Sequence, residues 1–110
     1  MSLSCLFCKI IAREIPSVIV AETDDLVVIK DINPSMPIHF LILPKEHIIN
    51  VKSMTAEQNR KYGPLFLEMA QKLSATYPAA TDFKLVTNNG ASSGQAIFHL
   101  HWHFLAGYSK

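Results

Sequence analysis

The sequence predicts an α+β fold in which one antiparallel sheet carries its helices on one side. Three observations lead to this prediction. β-branched runs separated by turn residues fill the first half of the chain, a long amphipathic segment follows, and two more strand-like runs come after it. With 110 residues, of which 49% are hydrophobic, the chain is expected to form one domain over residues 1–110 with a core that needs no disulfide.

The first half of the chain predicts a short helix and three strands. "CLFCKIIAREIP" places apolar residues at helical spacing and stops before Pro16, which indicates a short helix. "SVIVAE" and "LVVIKD" are β-branched runs separated by "TDD", a pattern typical of a hairpin. "INPSMP" predicts a turn, and "IHFLILP" predicts a buried strand that ends at Pro44.

The second half predicts the main helix and two further strands. Thr55 and Gln58 form a T-x-x-Q capping box at the start of a helix that reaches about Tyr77. The apolar residues of that segment that share one helical face are Phe66, Met69, Ala70, Leu73 and Tyr77. Because proline removes an amide donor, we expect a kink at Gly63-Pro64, or a helix that begins near Pro64. "DFKLVTN" and "IFHLHWHFLA" are the predicted last strands, with "NNGASSG" as the loop between them.

Charge and hydropathy exclude several classes of protein. The formal net charge is +1 with no basic run, which argues against a nucleic-acid-binding surface. No apolar run reaches the roughly 18 to 20 residues of a membrane span, and the N-terminus lacks the pattern of a signal peptide. We therefore expect a cytoplasmic protein, in which Cys5-x-x-Cys8 is either part of a metal site or a pair of reduced thiols.

The run "FHLHWHFLAG" places three of the five histidines at alternate positions near the end of the chain. In a strand, His99, His101 and His103 would share one face, while apolar residues occupy the other. Three interpretations are open: a solvated strand face, a tri-histidine metal site, and phosphoryl chemistry in which one imidazole attacks and another holds phosphate oxygens. Three ligands in a straight row converge poorly on one ion, and "NNGASSGQ" immediately upstream can cradle an anion. The sequence therefore favours phosphate recognition.

These motifs resemble those of a known family. "HLHWHFLAG" resembles the H-φ-H-φ-H-φ-φ signature of the histidine-triad (HIT) superfamily, where φ is apolar. The segment from "FCKIIAREIP" to "PKEHI" is similar to the N-terminal half of the Hint-like branch, including its D-I-x-P turn and P-K-x-H segment. The resemblance implies the HIT fold, an antiparallel five-stranded sheet with one long and one short helix. It also implies a homodimer that joins two such sheets into a continuous ten-stranded sheet.

The resemblance further implies a hydrolase or nucleotidyl transferase that acts on purine nucleoside 5′-monophosphate derivatives such as phosphoramidates and acyl-adenylates. His101 would attack the α-phosphorus and form a nucleotidyl-histidine, His103 would contact the phosphate, and His99 would support and orient His101. Asp31 matches the acid that binds both ribose hydroxyls. The positions that match phosphate contacts are Asn88, Ser93, Gly94 and Gln95. The positions that match the purine pocket are Leu6, Phe7 and Ile32, which spacing alone would assign to the core.

The cysteines acquire a role from the same resemblance. Some bacterial members of the Hint-like branch bind a structural zinc ion through an N-terminal C-x-x-C, the histidine of P-K-x-H and the first histidine of the triad. The matching residues are Cys5, Cys8, His47 and His99. The alternative is a pair of buried free thiols. His39, in "IHFLILP", is expected to be structural and bound to the backbone of the sheet.

The sequence departs from the family pattern at two places. Ala96 replaces a serine or threonine that contacts the phosphate or leaving group in many relatives, which puts catalytic efficiency in doubt. The sequence ends at "GYSK", so we expect a leaving-group side that is more open than in relatives with a longer tail. The rival functions are a dinucleoside polyphosphate hydrolase, a nucleotide-binding regulatory protein with little turnover, and a zinc-binding structural module.

Overall fold

The computed structural model describes residues 5–107, and its elements follow the predicted order. In chain order they are α1 (Leu6–Ile11), β1 (Ile19–Glu22), β2 (Leu26–Lys30), β3 (Ile38–Pro44), α2 (Ala56–Thr76), β4 (Phe83–Val86) and β5 (Trp102–Ala106). Residues 1–4 and 108–110 lie outside the described part of the chain. The second range is the last three residues of the "GYSK" segment. No helix among the described residues has the length and hydropathy needed to cross a membrane.

The five strands form one antiparallel sheet in the order β1-β2-β3-β5-β4. The central strand β3 pairs with β2 through Val28↔Ile42 and with β5 through Leu41↔His103. β1 and β4 are therefore the edges of the sheet. This arrangement confirms the predicted α+β class, with one five-stranded sheet, one long helix and one short helix.

The long helix α2 covers one face of the sheet. Its capping box is present as predicted, because the Thr55 and Gln58 side chains bind each other's backbone N–H groups. The helix starts at Ala56 and runs through Pro64 without interruption, so the alternative start near Pro64 was wrong. Its buried face consists of Tyr62, Phe66, Met69, Ala70 and Leu73, which pack with Val28, Phe40, Ile42 and Phe104 of the sheet.

The short helix α1 covers part of the opposite face, because it packs on strand side chains that alternate with those under α2. The prediction that both helices lie on one side of the sheet was therefore wrong. Phe7, Cys8 and Ile10 pack there with a second cluster that includes Leu41 and Leu43 of β3. Cys5 is the N-cap of this helix, and its Sγ accepts the backbone N–H of Cys8 at 3.3 Å. Because α1 has only six residues, it leaves the remainder of this face available for the histidines.

The last strand is shorter than predicted, since β5 begins at Trp102 and not at residue 97. The segment before it is bound by groups other than a neighbouring strand: Leu100 N–H donates to the Ile48 carbonyl, and Thr87 Oγ1 donates to the His101 carbonyl. Leu100 and Phe104 still reach the α2 side of the sheet, as predicted, whereas Phe98 is half exposed. Two of the three histidines, His99 and His101, therefore lie ahead of the strand.

Candidate functional site

The ring of His101 is buried and held in one orientation by the backbone. Its Nδ1 lies 2.8 Å from the carbonyl oxygen of His99, which can only accept a hydrogen bond. The ring proton is therefore on Nδ1, and Nε2 carries a free lone pair. Burial lowers the pKa of His101, while the hydrogen bond to the carbonyl and the charge of Asp31 act in the opposite direction. The arrangement favours a neutral imidazole with one unprotonated nitrogen.

His103 is oriented by a chain of hydrogen bonds that passes through His39. The backbone N–H of Ser35 donates to Nδ1 of His39 at 3.0 Å, so the proton of the neutral His39 ring is on Nε2. This Nε2 lies 2.8 Å from Nδ1 of His103 and 3.3 Å from Oδ2 of Asp31. When His39 donates to His103, the proton of a neutral His103 is on its Nε2. His103 then presents a hydrogen-bond donor, and burial lowers its pKa.

His99 lies in a buried cluster behind His101. Its Nε2 is 2.8 Å from the carbonyl oxygen of Pro44, so Nε2 donates and Nδ1 carries the lone pair. That Nδ1 faces Sγ of Cys5 at 3.4 Å and Sγ of Cys8 at 3.6 Å. Sγ of Cys8 is also 3.2 Å from Nδ1 of His47.

These four side chains, Cys5, Cys8, His47 and His99, could hold a metal ion. Their ligand atoms all lie within 4.8 Å of one another. Burial, followed by the neighbouring Cys5 thiol, raises the pKa of Cys8 to about 11, so a nearby cation is needed to stabilise the Cys8 thiolate. Burial lowers the pKa of His99 to about 4, which keeps its lone pair available. The predicted ligand set is therefore brought together.

A cavity of about 420 Å³ lies beside the histidines, within the size range of small-molecule sites. His101 and His103 line it together with Asp31 and Asn88, and Phe7 contacts His101 edge-on at 5.0 Å between ring centroids. Leu6, Phe7 and Ile32 form part of its apolar wall. Ile32 lies at the rim of the cavity and is 88% exposed.

The loop before the triad contributes less directly to this cavity. Gly94 lines it with φ of +97°, a conformation that favours glycine, and Ala96 lines it without a hydroxyl. Ser93 is exposed, and it is absent from the described lining of the cavity. Gln95 is buried and uses its amide within the protein, accepting from Gly90 N–H and donating to the carbonyls of Ile49 and Ile97. The roles of Ser93 and Gln95 as phosphate contacts stay predictions.

His39 is the residue whose contribution the sequence did not indicate. Its bond to the Ser35 backbone agrees with the predicted structural role, but its other nitrogen reaches His103 and Asp31. His39 pairs with Leu105, and His103 pairs with Leu41, so the two histidines are diagonal neighbours on one face. Only the register between β3 and β5 could have revealed this contact.

Comparison with known proteins places these features in one family. Residues 12–110 match the HIT domain model. An uncharacterized HIT-like protein of Synechocystis sp. is 42% identical over 107 residues, which cover 97% of this chain and 93% of that protein.

Solved structures agree with this match. A HIT family hydrolase from Clostridium thermocellum superposes with a TM-score of 0.92 at 43% identity, covering 99% of this chain and 95% of its own. A HIT family hydrolase from Legionella pneumophila superposes with a TM-score of 0.90 at 34% identity, covering 96% of this chain and 95% of its own.

The hydrogen bonds of the Gln95 amide are expected to contribute measurably to the stability of the fold. Gln95→Leu has nearly the same size but leaves one N–H and two carbonyl groups without their partner, so we expect the free energy of unfolding to fall by about 2 kcal/mol or more. Urea denaturation followed by circular dichroism measures this change. Lys72→Leu introduces the same side chain at an exposed position and should change stability by less than about 0.5 kcal/mol. Equal stability of both variants would contradict the role given to this amide.

Proposed function

The chain belongs to the HIT domain family, and from this we propose that it is a hydrolase or nucleotidyl transferase acting at the α-phosphate of purine nucleoside 5′-monophosphate derivatives. Its substrates would be phosphoramidates and acyl-adenylates, so that its activity resembles that of a nucleoside phosphoramidase. The observation that carries this proposal is the buried His101 ring, whose Nδ1 is fixed on a backbone carbonyl and whose Nε2 is free beside a cavity that His103 and Asn88 also line.

The proposed reaction has two displacements at phosphorus. In the first, the lone pair of His101 Nε2 forms a bond to the α-phosphorus, and the bond from phosphorus to the leaving nitrogen or oxygen breaks with its electron pair. The leaving atom takes up a proton from solvent. In the second, a water oxygen attacks phosphorus and gives up a proton to solvent, the P–Nε2 bond breaks with its electron pair returning to Nε2, and the nucleoside monophosphate and a neutral His101 are released. His103, oriented by His39, donates from Nε2 to the phosphate oxygens in both steps.

The remaining cavity residues fit the parts of a nucleotide. Asp31 uses one oxygen to accept Asn33 N–H at 2.8 Å, and a carboxylate has lone pairs left for two ribose hydroxyls. Its other oxygen contacts His39, so ribose binding and the orientation of His103 are linked. Leu6, Phe7 and Ile32 supply apolar surface for the purine, and Asn88 supplies a polar group for the phosphate.

We further propose that Cys5, Cys8, His47 and His99 bind a structural zinc ion. Zn–S bonds of about 2.3 Å and Zn–N bonds of about 2.05 Å in a tetrahedron separate S and N by about 3.6 Å. The S···N distances of 3.2, 3.4 and 3.6 Å are near this value. The bond from His99 Nε2 to the Pro44 carbonyl provides the outer hydrogen bond that zinc-binding histidines commonly make. When bound, zinc neutralises the thiolates and fixes the segment whose carbonyl holds His101.

We also propose a homodimer that joins two sheets at β4. This strand is an edge of the sheet, and beside it lies an apolar cavity of about 180 Å³ lined by Gly63, Leu67, Leu85 and Trp102 among others. Leu67 is 61% exposed, and Trp102 Nε1 is buried without a hydrogen-bond partner in the described part of the chain. A second copy would cover the apolar surface and extend the sheet to ten strands.

The role of His101 is tested by turnover of adenosine 5′-phosphoramidate and a dinucleoside tetraphosphate. We expect the phosphoramidate to be the better substrate and His101→Gln to lower kcat by roughly 10³-fold or more, because the nucleophile is lost. Mass spectrometry of quenched wild-type reactions should detect adenylylated His101. Calorimetric binding of AMP to the variant serves as the control for folding.

Two outcomes would change this assignment. Preferred cleavage of the tetraphosphate would favour the dinucleoside polyphosphate hydrolase. AMP binding with no turnover of either compound and no adduct would leave only a nucleotide-binding protein.

Metal content tests the zinc site. Wild-type protein should contain about one zinc ion per chain, and His47→Gln should lose most of it and unfold at a lower temperature, since a ligand that binds only the folded state is removed. His101→Gln is the matched control, because this histidine belongs to neither group of side chains that could hold a metal ion. Plasma mass spectrometry gives the stoichiometry. The site is disproved by equal zinc contents in the two variants.

The dimer is tested by sedimentation velocity at micromolar concentration. Leu67→Glu should convert a wild-type dimer into a monomer, because it places a charge in the proposed apolar contact. Val18→Glu puts the same charge on a 57% exposed side chain next to β1, at the opposite edge, and should remain dimeric. A monomeric wild type, or dissociation only in Val18→Glu, would refute this interface.

A further inference from the structure

A cavity of about 240 Å³ adjoins the nucleotide cavity and shares two residues with it, Asn88 and His103. These are the residues assigned to the phosphate. The smaller cavity continues from them over Met36, Leu105 and Lys84. A group attached to the phosphate therefore has space to extend in this direction.

The sheet register explains why a lysine lies there. In the β4–β5 pair, Val86 is opposite His103 and Lys84 is opposite Leu105. Because strand side chains alternate between faces, Lys84 lies on the same face as His103 and points away from α2. No ion pair from the described residues reaches Lys84. Lys84 is the one lysine or arginine in the described lining of this cavity.

A third cavity, of about 310 Å³, also adjoins the nucleotide cavity but on a different side. The residues it shares are Leu6, Ala96 and Ile97, and it also borders Cys5 and His47. Leu6 is assigned to the purine, and Ala96 is the position that contacts the phosphate or leaving group in many relatives, so this space borders both the base and the phosphate. Its described lining includes no lysine or arginine. The cavity with Lys84 is the one that starts at both phosphate contacts.

Building on the proposed function, we propose that the cavity lined by Lys84 receives the leaving group and that Lys84 selects leaving groups with a negative charge. The ammonium group would pair with a carboxylate or phosphate attached a few bonds beyond the scissile bond. The substrate class is therefore a nucleoside monophosphate joined to an anion, such as the phosphoramidate of an amino acid or a polyphosphate ester. Lys84 contributes charge alone and takes part in no bond change, and the bond changes at phosphorus are those given above.

Two adenosine 5′-phosphoramidates separate charge from size, one made with propylamine and one with β-alanine, which adds a terminal carboxylate to a chain of similar length. We expect wild-type protein to have the higher kcat/KM for the β-alanine compound. Lys84→Met should lower that kcat/KM by about tenfold and leave the propylamine compound within about twofold. Lys84→Arg should retain the preference, and Lys72→Met, at an exposed lysine of α2, should behave as wild type. Diadenosine triphosphate is assayed in parallel. The fall in its kcat/KM in Lys84→Met, compared with the fall for the β-alanine compound, shows whether a phosphate-bearing or a carboxylate-bearing leaving group depends more on Lys84.

Binding provides a readout that does not depend on turnover. Calorimetry should find that α,β-methylene-ADP binds wild-type protein more tightly than AMP, and that Lys84→Met removes the difference. The proposal is overturned if the ratio of kcat/KM values for the two amidates is the same in Lys84→Met as in wild type, or if wild type prefers the neutral compound. If wild type cleaves none of the three nucleotides, the proposed hydrolase activity is wrong. The ratio of the affinities for α,β-methylene-ADP and AMP then tests the role of Lys84 by itself. Equal affinities of the two nucleotides for wild type would count against it.

Discussion

The hydrogen bond between His101 Nδ1 and the carbonyl of His99 connects the two halves of the candidate site. It fixes the tautomer of the proposed nucleophile, and it does so through a backbone atom whose position depends on the His99 side chain. That side chain is held between the Pro44 carbonyl on one nitrogen and two thiols on the other. The cysteine cluster and His101 are therefore connected through a single residue, His99.

The same principle operates at His103, where the Ser35 backbone N–H determines the tautomer of His39, and His39 determines that of His103. Backbone groups thus assign the proton on each ring of the proposed phosphate site. Burial lowers the pKa of both His101 and His103, so neutral rings dominate and do little to balance the charge of a phosphate. Lys30 and Lys84 are the lysines in the described lining of these two cavities.

Local sequence patterns predicted most of the fold because the strands, the capping box of α2 and its apolar face are all determined over short distances. What they could not supply is register. The contact between His39 and His103 depends on how β3 and β5 are aligned, and the late start of β5 depends on a bond from Leu100 to the distant Ile48 carbonyl. The spacing of apolar residues in the sequence also could not distinguish Ile32, which is exposed beside the cavity, from an isoleucine of the core. The resemblance to a family, and not periodicity, supplied that assignment.

The unequal lengths of the two helices explain why the site lies where it does. α2 has 21 residues, about 32 Å, and covers its face of the sheet with a continuous core. α1 has six residues, about 9 Å, and reaches only far enough to bring Cys5, Cys8 and Phe7 against His99 and His101. The cavity lies on the same sheet face, beside α1 and just beyond its end, where Ile10 and Pro16 line it together with His101 and His103. The short helix thus both supports the nucleophile from one side and leaves the space into which its free nitrogen can act.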